Sequence, residues 1–218
     1  MRLLATFLSL VATPFYVAAL TFHYEIVPTE LLVQLGDSRS RVPFPPILEA
    51  LIMELFIEFI REAGARLPSK VGQTMGIVGG IVIGQAIVEA GFTSNILIII
   101  VALSALGSFT APSYLMGSTI RIIRFPLIII SGIWGILGIM FSFAFIVIHL
   151  LKQRSLNRPY LSPFYPLQVK DLDNSIYRYP FSISNKRPFS NSPKVSKRFN
   201  IPKKKHKKNN DIDEQVFT

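Results

Sequence analysis

The sequence has no cysteine among its 218 residues and only three histidines, His23, His149 and His206. The absence of cysteine excludes disulfide frameworks, thiolate nucleophiles and cysteine metal sites. The histidines are far apart in the sequence and show no metal-binding spacing such as HExxH. No nucleophile elbow or catalytic triad order is present either. The sequence therefore predicts a protein that is not an enzyme and uses no cofactor or metal.

Charge is also scarce, at 17% of residues, whereas half of the residues are hydrophobic and the mean hydropathy is +0.43. Residues 1–151 carry eight basic and eight acidic side chains, while residues 152–218 carry fifteen basic and five acidic ones. The whole net charge of +10 therefore lies in the C-terminal part. This composition is too apolar for an ordinary soluble domain and predicts a membrane protein with a basic tail.

Long apolar runs predict an all-α, polytopic helical membrane domain over residues 1–151. A membrane span needs roughly 20 mostly apolar residues. Four stretches are predicted to span the membrane, near residues 3–22, 71–90, 95–110 and 126–148. The last of these has a proline in its first turn, Pro126, and is expected to be a single helix.

The first twenty residues also resemble a secretory signal, because Arg2 precedes an apolar run that ends in small residues at 17–19. Pro14 within the run, and a body that is itself membranous, favour a first membrane span. Both alternatives remain open from the sequence.

Residues 46–63 have a different pattern, that of an amphipathic helix. Glu54, Glu58 and Glu62 are spaced four residues apart and so form one acidic stripe beside a broad apolar face. The stripe is either a solvated face of a surface-lying helix or, after assembly of several subunits, a ring of carboxylates around a cation vestibule. Carboxylates are costly in lipid, so this helix is predicted not to cross the membrane.

The distribution of basic residues predicts the topology. The basic tail and Arg2 are expected in the cytoplasm, which requires an even number of crossings and agrees with four. One conflict remains, because Arg61, Arg66 and Lys70 then lie outside, where basic residues are disfavoured.

The tail, residues 152–218, is rich in proline, serine and asparagine, and this composition predicts a largely disordered segment. Five of the six residues at 203–208 are lysines. Because the tail follows a membrane span and this lysine run has no aromatic residues between its lysines, the tail is expected to bind anionic lipid headgroups rather than nucleic acid.

Glycines recur every four residues at Gly72, Gly76, Gly80 and Gly84. A phosphate-binding loop needs a strand before it and Lys-Ser/Thr after it, and both are absent from the sequence here. The spacing instead forms a ridge without side chains, along which another helix can approach closely. That helix belongs either to the same subunit or to a neighbouring subunit around a pore.

Three further positions are candidate functional residues. Gln85 and Glu89 lie one turn apart, on a different side from most of the glycine ridge, and a carboxylate near the end of a span is either functional or simply interfacial. Pro112 breaks a span within SFTAPSYLMG, and the break is either a plain kink or part of a binding site.

Several strings together resemble the GerA family, the A-type subunits of nutrient germinant receptors of bacterial endospores. They are LTFHYEIVPTELL (20–32), VPFPPILEALIMELFIEFIREAGARLP (42–68), VGQTMGIVGGIVIGQAIVEAG (71–91), SFTAPSYLMG (108–117), RIIRFP (121–126) and RPYLSPFYP (158–166).

The resemblance implies a receptor subunit in the spore inner membrane that acts with a B-type, transporter-like subunit and a C-type lipoprotein subunit. It also implies a homo-oligomer that forms a nutrient-gated ion channel. Family members carry a large cytoplasmic domain before the first span, which this sequence lacks, so a fragment, a split gene or a misassigned start is expected. A secondary transporter or permease-type module and a truncated, non-conducting receptor fragment are the alternative functions.

Overall fold

The computed structural model describes residues 2–68, 71–72, 76–77, 79–155, 158–162 and 164–167, with the single positions 187, 194, 195 and 197. The lysine run and most of the tail that was predicted to be disordered lie outside these residues. So do residues 73–75 and 78 of the predicted second span.

The described residues are mostly helical, as the sequence predicts. The α-helices are α1 (Arg2–Thr21), α2 (Thr29–Arg39), α3 (Pro46–Arg66), α4 (Gly84–Glu89), α5 (Asn95–Phe109) and α6 (Tyr114–Lys152). A 3₁₀ turn, Tyr24–Ile26, precedes α2, and a π-helical turn, Gly79–Ile83, leads directly into α4. After α6, two short strands, β1 (Arg154–Ser155) and β2 (Arg158–Pro159), pair in antiparallel register.

The helix boundaries follow from local sequence signals. α3 begins at Pro46, since a proline in the first turn loses no helical hydrogen bond. The Ser94 side chain caps α5 by accepting a hydrogen bond from the Leu97 backbone N–H. Pro112 lies exposed in the short link between α5 and α6, where the chain leaves the helical conformation.

Helix α6 is not straight, and this differs from the single helix predicted over residues 126–148. Gly135 has φ of 61° and ψ of −142°, which breaks the helix into two arms, residues 114–134 and 136–152. A Cβ at Gly138 would lie 2.6 Å from the Ile130 carbonyl oxygen, although these residues are two turns apart in a straight helix. Glycine permits the break because positive φ is sterically free only without a Cβ.

Contacts with α1 show that the second arm folds back. Arg124 of the first arm donates a hydrogen bond to Ser9 Oγ at 2.7 Å, and Gly135 packs against His23 just after the end of α1. A straight continuation would carry the second arm away from α1. Instead, the Phe143 ring lies 6.1 Å from the Phe7 ring, near the start of α1.

The helices of residues 2–146 pack side by side with alternating direction. We call the end where α1 begins the near end and the end where α1 finishes the far end. A Cβ at Gly107, close to the end of α5, would lie 2.7 Å from the Ala5 carbonyl oxygen, so α5 finishes at the near end. The core between these helices is a cluster of buried apolar side chains: Tyr16, Val17, Leu35, Ala50, Met53, Ile87, Leu97, Val101 and Ile128.

Within the described residues, two helices are long and apolar enough to cross a membrane, Arg2–Thr21 and Tyr114–Lys152. Two shorter apolar stretches accompany them, Gly79–Glu89 and Asn95–Phe109.

Candidate functional site

A buried ion pair joins α3 to α6 in the middle of the bundle. Arg124 Nη1 lies 2.9 Å from Oε1 and 2.8 Å from Oε2 of Glu54, and the two residues are 2% and 5% exposed. Thr13 Oγ1 donates to Glu54 Oε1 at 2.9 Å. Arg124 Nη2 donates to Ser9 Oγ and to the Ser104 carbonyl oxygen. Four helices, α1, α3, α5 and α6, therefore meet at this one pair.

A second carboxylate of α3, Glu49, is fully buried towards the far end. Its Oε1 accepts hydrogen bonds from the Ser94 backbone N–H at 2.6 Å and from Thr93 Oγ1 at 3.1 Å. Arg39 Nε of α2 lies 3.3 Å from Glu49 Oε2 and balances its charge. Tyr16 Oη and Ser94 Oγ share a hydrogen bond of 3.1 Å, which ties the same junction to α1.

The third carboxylate, Glu58, lies towards the near end and is half-buried. Arg121 Nε of α6 lies 3.2 Å from Glu58 Oε1, and Arg61 Nη1 of α3 lies 3.7 Å from Oε2. The Arg61 guanidinium also stacks over the Phe109 ring, 4.6 Å from its centroid. These contacts join the second half of α3 to the end of α5 and to the first arm of α6.

The predicted acidic stripe is thus divided among three environments. Glu54 is buried, Glu58 is half-buried, and Glu62 is exposed, where it pairs with Arg66 one turn later on the same helix. Whether the stripe forms a vestibule after assembly stays a prediction.

The sequence pattern indicates no role for Arg39, Arg121 and Arg124, the partners of these carboxylates. One signal was present, because residues 1–151 hold equal numbers of acidic and basic side chains within an apolar body. Buried charges require partners, so an equal count favours internal pairs.

The glycine ridge meets two different surroundings. A Cβ at Gly72 would lie 2.7 Å from the Gly64 carbonyl oxygen, a close backbone approach within the chain. At Gly76, Gly80 and Gly84, by contrast, a Cβ would meet no atom of the described residues within 4 Å. We call these three residues the open glycine face.

The π-helical turn Gly79–Ile83 changes which side chains accompany the open glycine face. Its wider turn rotates the following residues relative to a regular α-helix, so Gln85 and Glu89 share a groove with Gly80 and Gly84. The α-helical spacing placed them on another side. Gln85 Nε2 donates to Glu89 Oε1 at 2.9 Å, and both side chains are exposed.

The arrangement offers no obvious chemistry of its own. Among the residues that the structure describes, no group of three or more His, Asp or Glu side chains is placed to hold a metal ion. The buried ion pairs are packed and hydrogen-bonded, which suits them to fix helix positions. Beside the open glycines, the exposed side chains of Gln85 and Glu89 hydrogen-bond to each other.

Comparison with known proteins gives the family. Residues 1–190 match the family described as Bacillus/Clostridium GerA spore germination protein. The spore germination protein GerQA of Bacillus cereus is 55% identical, over 98% of this chain and 44% of its own length. GerIA of Bacillus cereus is 52% identical, over 91% of this chain and 30% of its own length. Spore germination protein A1 of Bacillus subtilis (strain 168) is 44% identical, over 90% of this chain and 40% of its own length.

The chain spans less than half the length of these curated relatives. No solved structure matches it. The relatives named are A-type spore germination proteins, and the match extends over the helices that carry the ion pairs and the open glycine face. The chain belongs to the GerA family of spore germination proteins.

Proposed function

We propose that this chain is the membrane part of a spore nutrient-germinant receptor subunit, and that several copies assemble into an ion channel opened by the nutrient. Membership of the GerA family supports the role in germination. One observation carries the channel: a Cβ on the open glycine face would meet no atom of the described residues within 4 Å, and a polar Gln85–Glu89 pair shares its groove.

Assembly of several copies depends on how helices associate in lipid. There is little hydrophobic driving force between apolar helices in a bilayer, so close packing along small residues drives association. Gly76, Gly80 and Gly84 would allow a helix of a second copy to approach closely. Within one subunit, Gly72 already makes such an approach to Gly64.

Conduction is supported by the polar pair. A carboxylate near the end of a membrane segment is costly unless it meets water or a partner. Glu89 and Gln85 hydrogen-bond to each other and remain exposed, so a water-lined path formed by several copies would solvate them. We place the receptor in the spore inner membrane, where the B-type transporter-like subunit would bind the nutrient and the C-type lipoprotein would complete the assembly.

The test uses Gly80→Leu in a full-length A-type subunit of this family, in spores. Its matched control is Gly36→Leu in α2, because a Cβ at Gly36 also meets no atom within 4 Å. We expect both leucines to be accommodated in the single subunit, since a Cβ meets no atom at either position, whereas only the one at position 80 blocks the proposed contact. We expect ion release on nutrient addition to fall at least tenfold for Gly80→Leu and to stay normal for Gly36→Leu, at equal protein levels. Normal ion release by Gly80→Leu spores would contradict the proposal.

A further inference from the structure

We propose that α3, the glutamate-rich helix, crosses the membrane, with its outer apolar face against lipid acyl chains and its carboxylates turned inward onto arginines. The bundle then makes six crossings, rather than four with one surface-lying helix. This inference concerns the fold in the bilayer and does not depend on ion conduction.

The first evidence is that α3 runs antiparallel to α1 over its whole depth. Ile47, at its start, contacts Gly132 just before the turn at the far end. Glu54 meets Thr13 in the middle of α1. Arg61 lies over Phe109, close to where α5 finishes at the near end. The 21 residues of α3 measure about 30 Å, which matches the hydrocarbon core of a bilayer.

The second evidence is the pairing of its charges. By composition alone α3 is a poor span, since it carries four glutamates and two arginines. Yet Glu49, Glu54 and Glu58 face the bundle and lie within 3.3 Å of arginine nitrogens on α2 and α6. Intramembrane charges that face the interior and pair with one another are the form that membrane proteins tolerate. Glu62 and Arg66 pair at the exposed end of the helix, at headgroup depth.

The third evidence is the surface that remains outside. α3 exposes the large apolar side chains of Leu48, Leu55 and Phe59, all at least 46% exposed. The neighbouring α1 exposes apolar side chains over the same depth: Leu3, Leu4, Phe7, Leu8 and Phe15. Helices α1 and α3 therefore present one apolar belt, and acyl chains are the partner that such a belt fits.

The remaining crossings follow from the contacts at the two ends. Gly72 meets Gly64 at the near end, and Gly91 meets the Arg41 carbonyl oxygen at the far end, so the chain returns to the far end between these two glycines. α5 then runs to the near end. The first arm of α6 runs to the far end, and its second arm folds back at Gly135.

The charges at the two ends orient the bundle. The near end holds four arginines against two glutamates: Arg2, Arg61, Arg66 and Arg121 with Glu58 and Glu62. The far end holds two arginines against five carboxylates: Arg39 and Arg41 with Glu25, Glu30, Asp37, Glu49 and Glu89. The near end is therefore cytoplasmic by the positive-inside rule. Six crossings place Arg61 and Arg66 inside, which removes the conflict that four crossings leave.

Single-cysteine labelling tests the crossing, and the chain contains no cysteine that would need to be removed. The full chain is expressed in bacterial membranes with one exposed residue changed in each variant, and a membrane-impermeant maleimide is applied before and after permeabilisation. Asp37→Cys and Lys152→Cys are controls, because both arrangements place position 37 outside and position 152 inside.

Arg66→Cys and Ala90→Cys separate the two arrangements. With six crossings, Ala90→Cys is labelled in intact cells to the level of Asp37→Cys, whereas Arg66→Cys reacts only after permeabilisation, as Lys152→Cys does. Labelling of Arg66→Cys in intact cells, with Ala90→Cys protected, would overturn the proposal. Labelling does not require ion conduction. If α3 does not cross the membrane, the labelling pattern changes, whereas if the chain forms no channel, only the ion-release test fails.

Discussion

Two regions of this molecule use small and polar residues in opposite ways. Around Glu54 and Arg124, the helices α1, α3, α5 and α6 contribute groups that pair with or hydrogen-bond to a buried charge, among them the small residues Ser9 and Ser104. On the open glycine face, a Cβ would meet no atom of the described residues within 4 Å, and an exposed carboxylate lies in the same groove. The first region stabilises one subunit, whereas the second is suited to contact with another.

The largest expected effect comes from the buried ion pair. Glu54→Ala leaves the Arg124 guanidinium buried without a counter-charge, so we expect a loss of about 3–5 kcal/mol in the free energy of unfolding. Thermal unfolding of the chain in mild detergent measures it. Glu62→Ala is the matched control, since its exposed pair with Arg66 contributes about 0–1 kcal/mol. Equal losses in the free energy of unfolding for the two variants would show that the buried Glu54 pair stabilises the fold no more than the exposed Glu62 pair does.

A second test compares a glycine packed between helices, Gly107, with a glycine of the open glycine face, Gly84. A Cβ at Gly107 would collide with the Ala5 carbonyl oxygen at 2.7 Å, while a Cβ at Gly84 meets nothing within 4 Å. We expect Gly107→Leu to lose about 1–3 kcal/mol by overpacking α5 against α1. Gly84→Leu should unfold within about 0.5 kcal/mol of the unchanged chain under conditions that keep both monomeric. Destabilisation of both variants to the same degree would mean that Gly84 is packed within the subunit.

The sequence allowed part of this arrangement to be predicted. The spacing of apolar residues placed a helix over residues 46–63, close to the observed Pro46–Arg66. The glycine spacing predicts a surface for close helix contact, and for Gly76, Gly80 and Gly84 this stays a prediction. Both predictions depend on neighbours within one or two turns, where periodicity alone decides which side chains share a face.

The features that could not be predicted from the sequence depend on contacts between distant residues or on unusual backbone geometry. Glu54 and Arg124 are 70 residues apart, and no local pattern indicates which arginine a buried carboxylate meets. The fold-back at Gly135 requires a positive φ that glycine permits but does not impose. The π-helical turn before Gly84 moved Gln85 and Glu89 beside the glycines, against the regular helical spacing.

The central claim is that the open glycine face joins copies of this subunit, and the molar mass of the full chain in mild detergent tests it most directly. Light scattering of the unchanged chain is compared with Gly80→Leu and with Gly36→Leu, which carries the same change at an open position outside the face. We expect a defined oligomer for the unchanged chain and for Gly36→Leu, and a monomer for Gly80→Leu. A monomeric unchanged chain, or an oligomer that survives Gly80→Leu, would contradict the account.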